Sequence, residues 1–427
     1  MPNVQPVKGM NVILPEQLPL WQTIEAQARQ VLENYGYHEI RLPLVEHTEL
    51  FKRSVGESSD IVTKEMYTFD DKKGRSLTLR PEGTAGCVRG GQEHHLFGRQ
   101  VQRLWYMGPM FRYERPQKGR SRQFHQIGVE TFGMAEADIE AELVLLASRF
   151  FRQLGVDQQL RLKINTIGQD QDRTKFKSAL VEFLEDKKDD LDDDSRQRLA
   201  TNPLRILDSK IESTQAILKD APKLPDYLSQ ESSDHFQSFI HYLDNAEIAY
   251  EVDPLLVRGL DYYNHTVFEW VTAAIGAQDA VCAGGRYDNL VSLLGGKPTP
   301  AAGFAIGQER LVLLLSESGL GIADAELDVY IAASPSQQTQ ALALAETLRD
   351  RFPTSSIQLQ CAGASLNKAR KKAEKLQASY LVLLPDTTTS KTQSGPYRLQ
   401  SVKDKQADIW LDQAQLLANL SKSLKIQ

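Results

Sequence analysis

Apolar residues recur at intervals of three and four near the start of the chain: Trp21, Ile24, Ala28, Val31, Leu32 and Tyr35. Gly36 stands where a helix would end, so the spacing predicts a helix over Leu18–Gly36. A strand is expected at His38–Val45. Another lies at Ser76–Leu79, where polar and apolar side chains alternate up to Arg80-Pro81. Val101–Glu114 and Phe124–Phe132 read as two strands around a polar loop, Arg115–Gln123, that holds Pro116 and Gly119. The stripe Ile139, Leu143, Ala147, Phe150, Leu154 marks an amphipathic helix, and Leu160, Leu162 and Ile164 mark a strand. Strand patterns resume at Tyr250–Val257, Tyr262–Val271, Ala280–Ala283 and Ala301–Ile306, and a helix over Gln308–Ser318 closes this part. Neighbouring strands and hairpins of this kind predict an α+β domain: an antiparallel sheet flanked by helices.

Two stretches break the pattern. From 171 to 245 the chain is polar and helix-like, with eight acids against four bases between Glu182 and Arg198, which a solvated helical insertion explains. After a linker at Gly319–Glu326, strands at Leu327–Ala332, Ile357–Cys361 and Tyr380–Leu384 alternate with helices at Gln337–Arg351 and Ser365–Ala378. That alternation predicts a small α/β domain with a mostly parallel mixed sheet. The expected division is 1–325, carrying the insertion 171–245, and 326–427.

Composition narrows the function classes. With 427 residues, 41 % hydrophobic and 25 % charged, the chain is an ordinary globular protein long enough for several cores. A net charge of −6 disfavours a general DNA-coating role. Cys87, Cys282 and Cys361 are odd in number and far apart, so no disulfide framework follows; His94, His95 and His125 have no metal spacing with them, and no metal site is expected. The apolar runs, such as Leu311–Leu315, are far short of a membrane span, and residues 1–15 lack a secretory apolar region. The expectation is a cytoplasmic protein without a membrane segment.

Neither a P-loop nor a glycine-rich dinucleotide turn is present, so a nucleotide would have to be held in another way. The richest polar segment is Phe111-Arg112-Tyr113-Glu114 with Phe124-His125-Gln126-Ile127-Gly128-Val129-Glu130. On paired strands, Arg112 and Glu114 would share one face with Gln126, Gly128 and Glu130, and Gly128 would let a ligand lie close to the backbone. From 99 to 125 there are seven bases and one acid, a local field suited to phosphates; a solvated loop is the plainer account. Three further clusters bear glycine and arginine: Arg258-Gly259-Leu260-Asp261-Tyr262-Tyr263, Gly284-Gly285-Arg286-Tyr287-Asp288, and Gly303-Phe304-Ala305-Ile306-Gly307-Gln308-Glu309-Arg310. Each alone fits a tight turn or a packing face. Together they bring arginines from separate segments to a floor of small residues.

In this combination the chain resembles the class II aminoacyl-tRNA synthetases. Phe111-Arg112-Tyr113-Glu114, the basic loop and Arg122-Gln123-Phe124 are similar to their motif 2, and Gly303 to Arg310 to their motif 3. Leu79-Arg80-Pro81-Glu82-Gly83-Thr84, with the clusters at 256–263 and 283–288, resembles segments particular to the histidyl-tRNA synthetase family. The likeness covers nearly the whole chain, and it implies that 326–427 is an anticodon-binding domain. It implies ATP as substrate, Mg²⁺ bound mainly through the phosphates, L-histidine and tRNA(His) as partners, and a homodimer. By the same likeness Arg112 would hold the α-phosphate and the histidine carboxylate. Glu114 would read the adenine amino group, Phe124 would stack on the ring, and Arg310 would clamp the γ-phosphate. Glu82, Thr84 and Gln126 would hold the α-amino group; Glu130 and Tyr263 would bond the imidazole, with Tyr262 and Tyr287 shaping the pocket. Arg258 would face the α-phosphate opposite Arg112, and Arg115, Gln117, Arg120 and Arg122 would touch the tRNA acceptor end.

The sequence departs from the family in two places. Lys8-Gly9-Met10-Asn11-Val12 stands where the family has Arg-Gly-x-x-Asp, and Leu384-Pro385-Asp386-Thr387-Thr388-Thr389 replaces an acidic, glycine-bearing turn. Two other readings compete. One is a synthetase-like regulatory subunit of an ATP phosphoribosyltransferase, which would lack the C-terminal domain and show eroded site residues. The other is an RNA-binding module without catalysis, for which the basic run Asn367–Lys375, five bases to one acid, would serve.

Overall fold

In a computed structural model, the structure describes residues 4–57, 59–98, 100–201, 203–209, 211–275, 280–317, 327–361, 366–386, 395–402 and 408–424. The expected linker 319–326, Ser318 at the end of the expected helix, Arg99, Ser365 and Thr387 to Thr389 lie outside the described residues. The chain divides into two units, Met1–Gly321 and Ile322–Gln427.

The first unit runs α1 (Leu18–Asn34), β1 (His38–Glu39), β2 (Val45–His47), α2 (Thr48–Val55), β3 (Tyr67–Asp70), β4 (Ser76–Leu79), α3 (Thr84–Glu93), β5 (Gln102–Phe111), β6 (Gln123–Phe132), α4 (Asp138–Gln153) and β7 (Arg161–Thr166). It continues with α5 (Asp170–Glu185), α6 (Asp193–Thr201), α7 (Glu212–Leu218), α8 (Gln230–Asn245), β8 (Tyr250–Val252), β9 (Asn264–Val271), β10 (Ala280–Arg286), α9 (Leu290–Leu293), β11 (Ala301–Gly307) and α10 (Gln308–Glu317). The main sheet has eight strands in the order β1-β5-β6-β11-β10-β9-β7-β8. Its six central strands are antiparallel, and the short edge strands β1 and β8 pair parallel to β5 and β7. One face is covered by α1, α4, α8 and α10, whose apolar stripes bury Ile24, Val31, Leu143, Phe150, Phe239 and Leu311 against Trp105, Val129, Phe268 and Phe304 of the sheet. The other face holds the polar residues discussed below.

Several sequence expectations need correction. The strand expected over 38–45 is broken at Pro43, which has no N–H to give to a ladder. Its two halves join different sheets, β1 pairing with β5 and β2 with β4 in a three-stranded sheet β2-β4-β3. β5 stops at Phe111, three residues before Glu114, and Arg112 is the first residue of the loop. Arg112 and Glu114 therefore share a side through a turn, with the Glu114 N–H donating to the Arg112 carbonyl at 2.8 Å, and not through strand alternation. β8 ends at Val252, just before Asp253-Pro254, and Tyr262 and Tyr263 precede β9 instead of opening it. β10 runs on to Arg286, an extension that Gly284-Gly285 conceals from any alternation test.

The polar segment 171–245 is helical but has an apolar interior of its own: Phe176, Leu180, Leu184, Leu199, Leu207 and Leu218 are all buried. Its last helix is not a solvated layer. α8 lays Phe236, Phe239 and Leu243 into the main core. Three apolar residues at helical spacing outweigh a polar average, because only one face of a helix needs to be buried.

The second unit contains β12 (Val329–Ala333), α11 (Gln338–Arg351), β13 (Ile357–Leu359), α12 (Ala369–Lys375), β14 (Tyr380–Leu384), β15 (Tyr397–Ser401), β16 (Ile409–Leu411) and α13 (Gln413–Leu420). Its sheet order is β13-β12-β14-β15-β16, with β13, β12 and β14 parallel and β15 and β16 antiparallel. The mixed character comes from the β15–β16 hairpin, which the sequence pattern leaves unassigned. α12 buries Ala369 and Ala373, four apart, and leaves Lys368, Arg370, Lys371, Lys372 and Lys375 exposed.

Candidate active site

The register of the main sheet builds the floor of a cleft in the first unit. Gly128 of β6 pairs with Tyr106 of β5 on one side and with Ala305 of β11 on the other, and Ala305 in turn pairs with Ala283 of β10, which pairs with Glu269 of β9. Two residues along, Glu130 pairs with Gly303, and Gly303 with Gly285. Side chains of equal parity in register stand on one face, so the middle of that face is nearly bare and its polar groups ring it. The alternation Gly303, Ala305, Gly307 is thus a real small-residue stripe. Gly303 is required where it stands, since a Cβ there would come within 2.3 Å of Glu130 Oε2 and 2.6 Å of the Tyr287 hydroxyl.

Arg112, Arg258 and Arg310, from the end of β5, the loop before β9 and the first turn of α10, line this one cleft together with Glu82, Thr84, Glu114, Phe124, Gln126, Glu130, Tyr262, Tyr263 and Tyr287. Each guanidinium is held by a neighbour. Arg112 Nε donates to the Pro81 carbonyl at 2.9 Å and stands 5.3 Å from the centre of the Phe124 ring. Arg258 pairs with Glu269 and lies 5.3 Å from the Tyr263 ring centre. Arg310 donates to the Ala280 carbonyl. Burial and the nearby Arg120 and Arg112 charges push the Arg310 pKa down. Burial alone would lower Arg258 too, but the Glu269 carboxylate together with Tyr263 and Tyr262 outweighs it and holds the pKa above its ordinary value. A cleft in which burial and two neighbouring cations disfavour the charge on Arg310 is suited to an anion of several charges. Gln126 Oε1 and Arg258 Nε are buried and have no hydrogen-bond partner among the described residues, the condition of groups awaiting a ligand.

Deeper in the cleft the carboxylates take over. Glu82 accepts from the backbone N–H groups of Thr84 (2.6 Å) and Ala85 (2.9 Å) at the start of α3. Burial raises its pKa against those bonds. Glu130 is fully buried and accepts from Thr84 Oγ1 at 2.8 Å, from the Tyr106 hydroxyl at 2.9 Å and from the Tyr287 hydroxyl. Burial pushes its pKa up to about 8, although all three hydroxyls favour the charged form. Tyr262, Tyr263 and Tyr287 form an aromatic wall, with ring centres 4.7 to 6.0 Å apart.

The loop after β5 divides its residues. Arg115 and Gln117 are exposed. Arg120 turns into the cleft and pairs with Glu114 at 2.8 Å. Arg122 lies over the Tyr113 ring at 3.8 Å and donates to the Glu114 carbonyl at 3.1 Å. The N-terminal segment closes on the return of this loop. The Gly9 carbonyl accepts from the N–H groups of Arg122 (2.7 Å) and Gln123 (3.1 Å), while Val12, where the family has an acid, points to solvent.

One expectation fails outright. The space above Gly128 is filled by Tyr106 and is not left for a ligand: a Cβ on Gly128 would lie 2.1 Å from that ring, and one on Gly83 2.2 Å. The sequence reading missed Tyr106, Glu269 and the inward turn of Arg120. A lone acid inside the apolar run Val267-Phe268-Glu269-Trp270-Val271 was the signal for Glu269. Tyr106 had none without the register that sets it opposite Gly128.

Among the described residues, no group of three or more His, Cys, Asp or Glu is placed to hold a metal ion, and no helix is long and apolar enough to cross a membrane.

A six-stranded antiparallel core that carries an arginine-lined cleft over a glycine–alanine floor defines the catalytic fold of a class II aminoacyl-tRNA synthetase, here followed by a separate α/β unit. A sequence model of the histidyl-tRNA synthetase family matches residues 9–311, and the chain belongs to that family. The histidyl-tRNA synthetase of Staphylococcus aureus is 33 % identical, with a TM-score of 0.79 over 98 % of this chain and all of that one. A histidyl-tRNA synthetase from Nostoc sp. PCC 7120 shares the fold at 18 % identity (TM-score 0.68, covering 98 % of this chain and 99 % of that one). So does a Bacillus halodurans protein described as an ATP phosphoribosyltransferase regulatory subunit/histidyl-tRNA synthetase, at 21 % identity (TM-score 0.65, covering 89 % and 98 %).

Proposed function

We propose that this chain ligates L-histidine to tRNA(His) in two steps through a histidyl-adenylate, and that it does so as a cytoplasmic homodimer. The observation that carries the reading is the convergence of Arg112, Arg258 and Arg310 on a cleft whose far end holds Glu82, Gln126 and Glu130. In the first step the histidine carboxylate attacks the α-phosphorus of ATP and pyrophosphate leaves. Negative charge grows on the phosphorus-bound oxygens, and fixed guanidinium groups there lower the barrier without reorganising. Arg112 and Arg258 serve the α-phosphate and Arg310 the outer phosphates, with Phe124 stacking on the adenine and Glu114 accepting from its amino group. In the second step the terminal ribose hydroxyl of the tRNA displaces AMP.

When bound with the nucleotide, Mg²⁺ would neutralise phosphate charge. The carboxylates nearest the phosphate-facing arginines are Glu114 and Glu269, already bound to Arg120 and Arg258, so the residues fit an ion held mainly by phosphates. The exposed Arg115 and Gln117 suit a tRNA acceptor end. The exposed bases of α12 suit the anticodon stem of the same RNA. That assigns catalysis to 1–325, with 171–245 as its insertion, and anticodon binding to 326–427.

ATP–pyrophosphate exchange that depends on histidine tests the reading against the regulatory alternative. Exchange is expected; its absence in folded protein that binds an ATP phosphoribosyltransferase would turn the assignment to that role. The buried Glu130 adds a pH signature. If only its ionised form accepts the imidazole N–H, kcat/KM for histidine rises with pH, reaches half its maximum near 8, to which burial pushes the Glu130 carboxyl, and levels off about one pH unit higher. A profile that is flat between pH 6.5 and 9 would remove Glu130 from imidazole recognition.

A further inference from the structure

We propose that Tyr106 is a specificity-determining positioning residue of this site: its ring makes the floor of the amino-acid pocket and its hydroxyl fixes the Glu130 carboxylate in the direction from which it reads a ligand N–H. The inference rests on the histidine reading above.

The geometry is unusually constrained. Tyr106 is 1 % exposed, in the interior of β5, and lies on the cleft face directly across from Gly128. Gly83 and Gly128 bracket its ring so closely that a methyl group on either would overlap it. Two glycines from separate elements therefore hold one aromatic plane in place, and the ring cannot turn aside for a larger ligand. Its hydroxyl donates 2.9 Å to Glu130 Oε1, the same oxygen that accepts from Thr84 Oγ1, while Tyr287 serves Oε2. Oε1 thus has two donors and Oε2 one, which leaves a single acceptor direction, on Oε2, for a ligand N–H. A carboxylate held in this way distinguishes a side chain that offers an N–H at one place from one that does not.

The titratable groups around Glu130 are Glu82 just before α3, Cys87 in its first turn, Tyr106 from β5, Tyr262 and Tyr263 from the loop before β9, and Tyr287 after β10. Glu82 and burial oppose ionisation of Glu130, and the hydroxyls of Tyr287, Thr84 and Tyr106 favour it. Removing the Tyr106 hydroxyl thus takes away support for the charged form, and Glu130 titrates at a higher pH.

Tyr106→Phe keeps the ring and its packing and removes only the donor. At pH 7.5 it is expected to raise KM for histidine about tenfold, the effect of losing one hydrogen bond to a charged group, with KM for ATP unchanged and a smaller change in kcat. The rise of kcat/KM with pH should move to higher pH. The carboxyl of Glu130, followed directly by infrared difference titration and assigned with Glu130→Gln, should show a raised midpoint in Tyr106→Phe. Infrared and kinetic profiles that coincide with wild type would overturn the proposal, as would a loss of ATP and histidine affinity together. If wild-type enzyme shows no histidine-dependent exchange, the histidine reading falls and the specificity part falls with it. The infrared midpoint still decides separately whether Tyr106 governs Glu130.

Discussion

Arg258→Ala is expected to slow histidine-dependent ATP–pyrophosphate exchange by at least about 10²-fold in a protein that remains folded, the usual cost of removing one fixed donor to a developing oxyanion. Arg258 reaches the cleft from a loop, and what fixes it there is its pairing with Glu269 on β9 and the Tyr263 ring beneath it. Its Nε is buried without a partner among the described residues, so part of its donor capacity is uncommitted. The loss should appear mainly in kcat, because a donor aimed at charge that develops in the transition state contributes little to ground-state binding. Arg258→Lys should recover only part of the rate, since an ammonium cannot reproduce the planar fork that bonds Glu269 and a phosphate oxygen together. Turnover equal to wild type in Arg258→Ala would take this residue out of the mechanism.

Glu130→Ala is expected to abolish histidine recognition, lowering kcat/KM for histidine by about 10³-fold or more while ATP affinity is kept, in line with the cost of removing one partner of a buried, hydrogen-bonded charge. Three hydroxyls, from Thr84, Tyr106 and Tyr287, lose their common acceptor in this variant. A control for general damage is therefore needed, and unaltered ATP binding supplies it. The result that contradicts the pocket assignment is exchange at near-normal histidine concentrations. On the proposed reading the two variants separate the ends of the cleft, with Arg258→Ala expected to affect the phosphate step and Glu130→Ala recognition of the amino-acid side chain.

The strands and helices that carry the site were largely visible in the chain because their periodicity is local. α1, α4 and α10 follow 3.6-residue stripes, and β4, β6 and β11 alternate or run apolar as expected. The errors cluster where a local rule met a long-range one. Pro43 splits a strand between two sheets, and α8 looked polar until three of its residues met the main core. The second unit has the mostly parallel mixed sheet that the alternation of strand and helix predicts, but its antiparallel hairpin β15–β16 has no counterpart among the strands assigned from the sequence.

The residue types of the site were determined by the sequence alone: arginines, carboxylates and small residues in four separated clusters, too many to be surface decoration. Their mutual placement was decided by tertiary structure. Sheet register, which no linear pattern encodes, set Gly128 beneath Tyr106 and Gly303 against Glu130. It also took Arg120 and Arg122, neighbours in one basic loop, to different surroundings, one paired with Glu114 in the cleft and the other flat on Tyr113. The physical reason is range: periodicity reports which face of an element is buried, whereas hydrogen bonds across strands and between loops fix which buried groups meet.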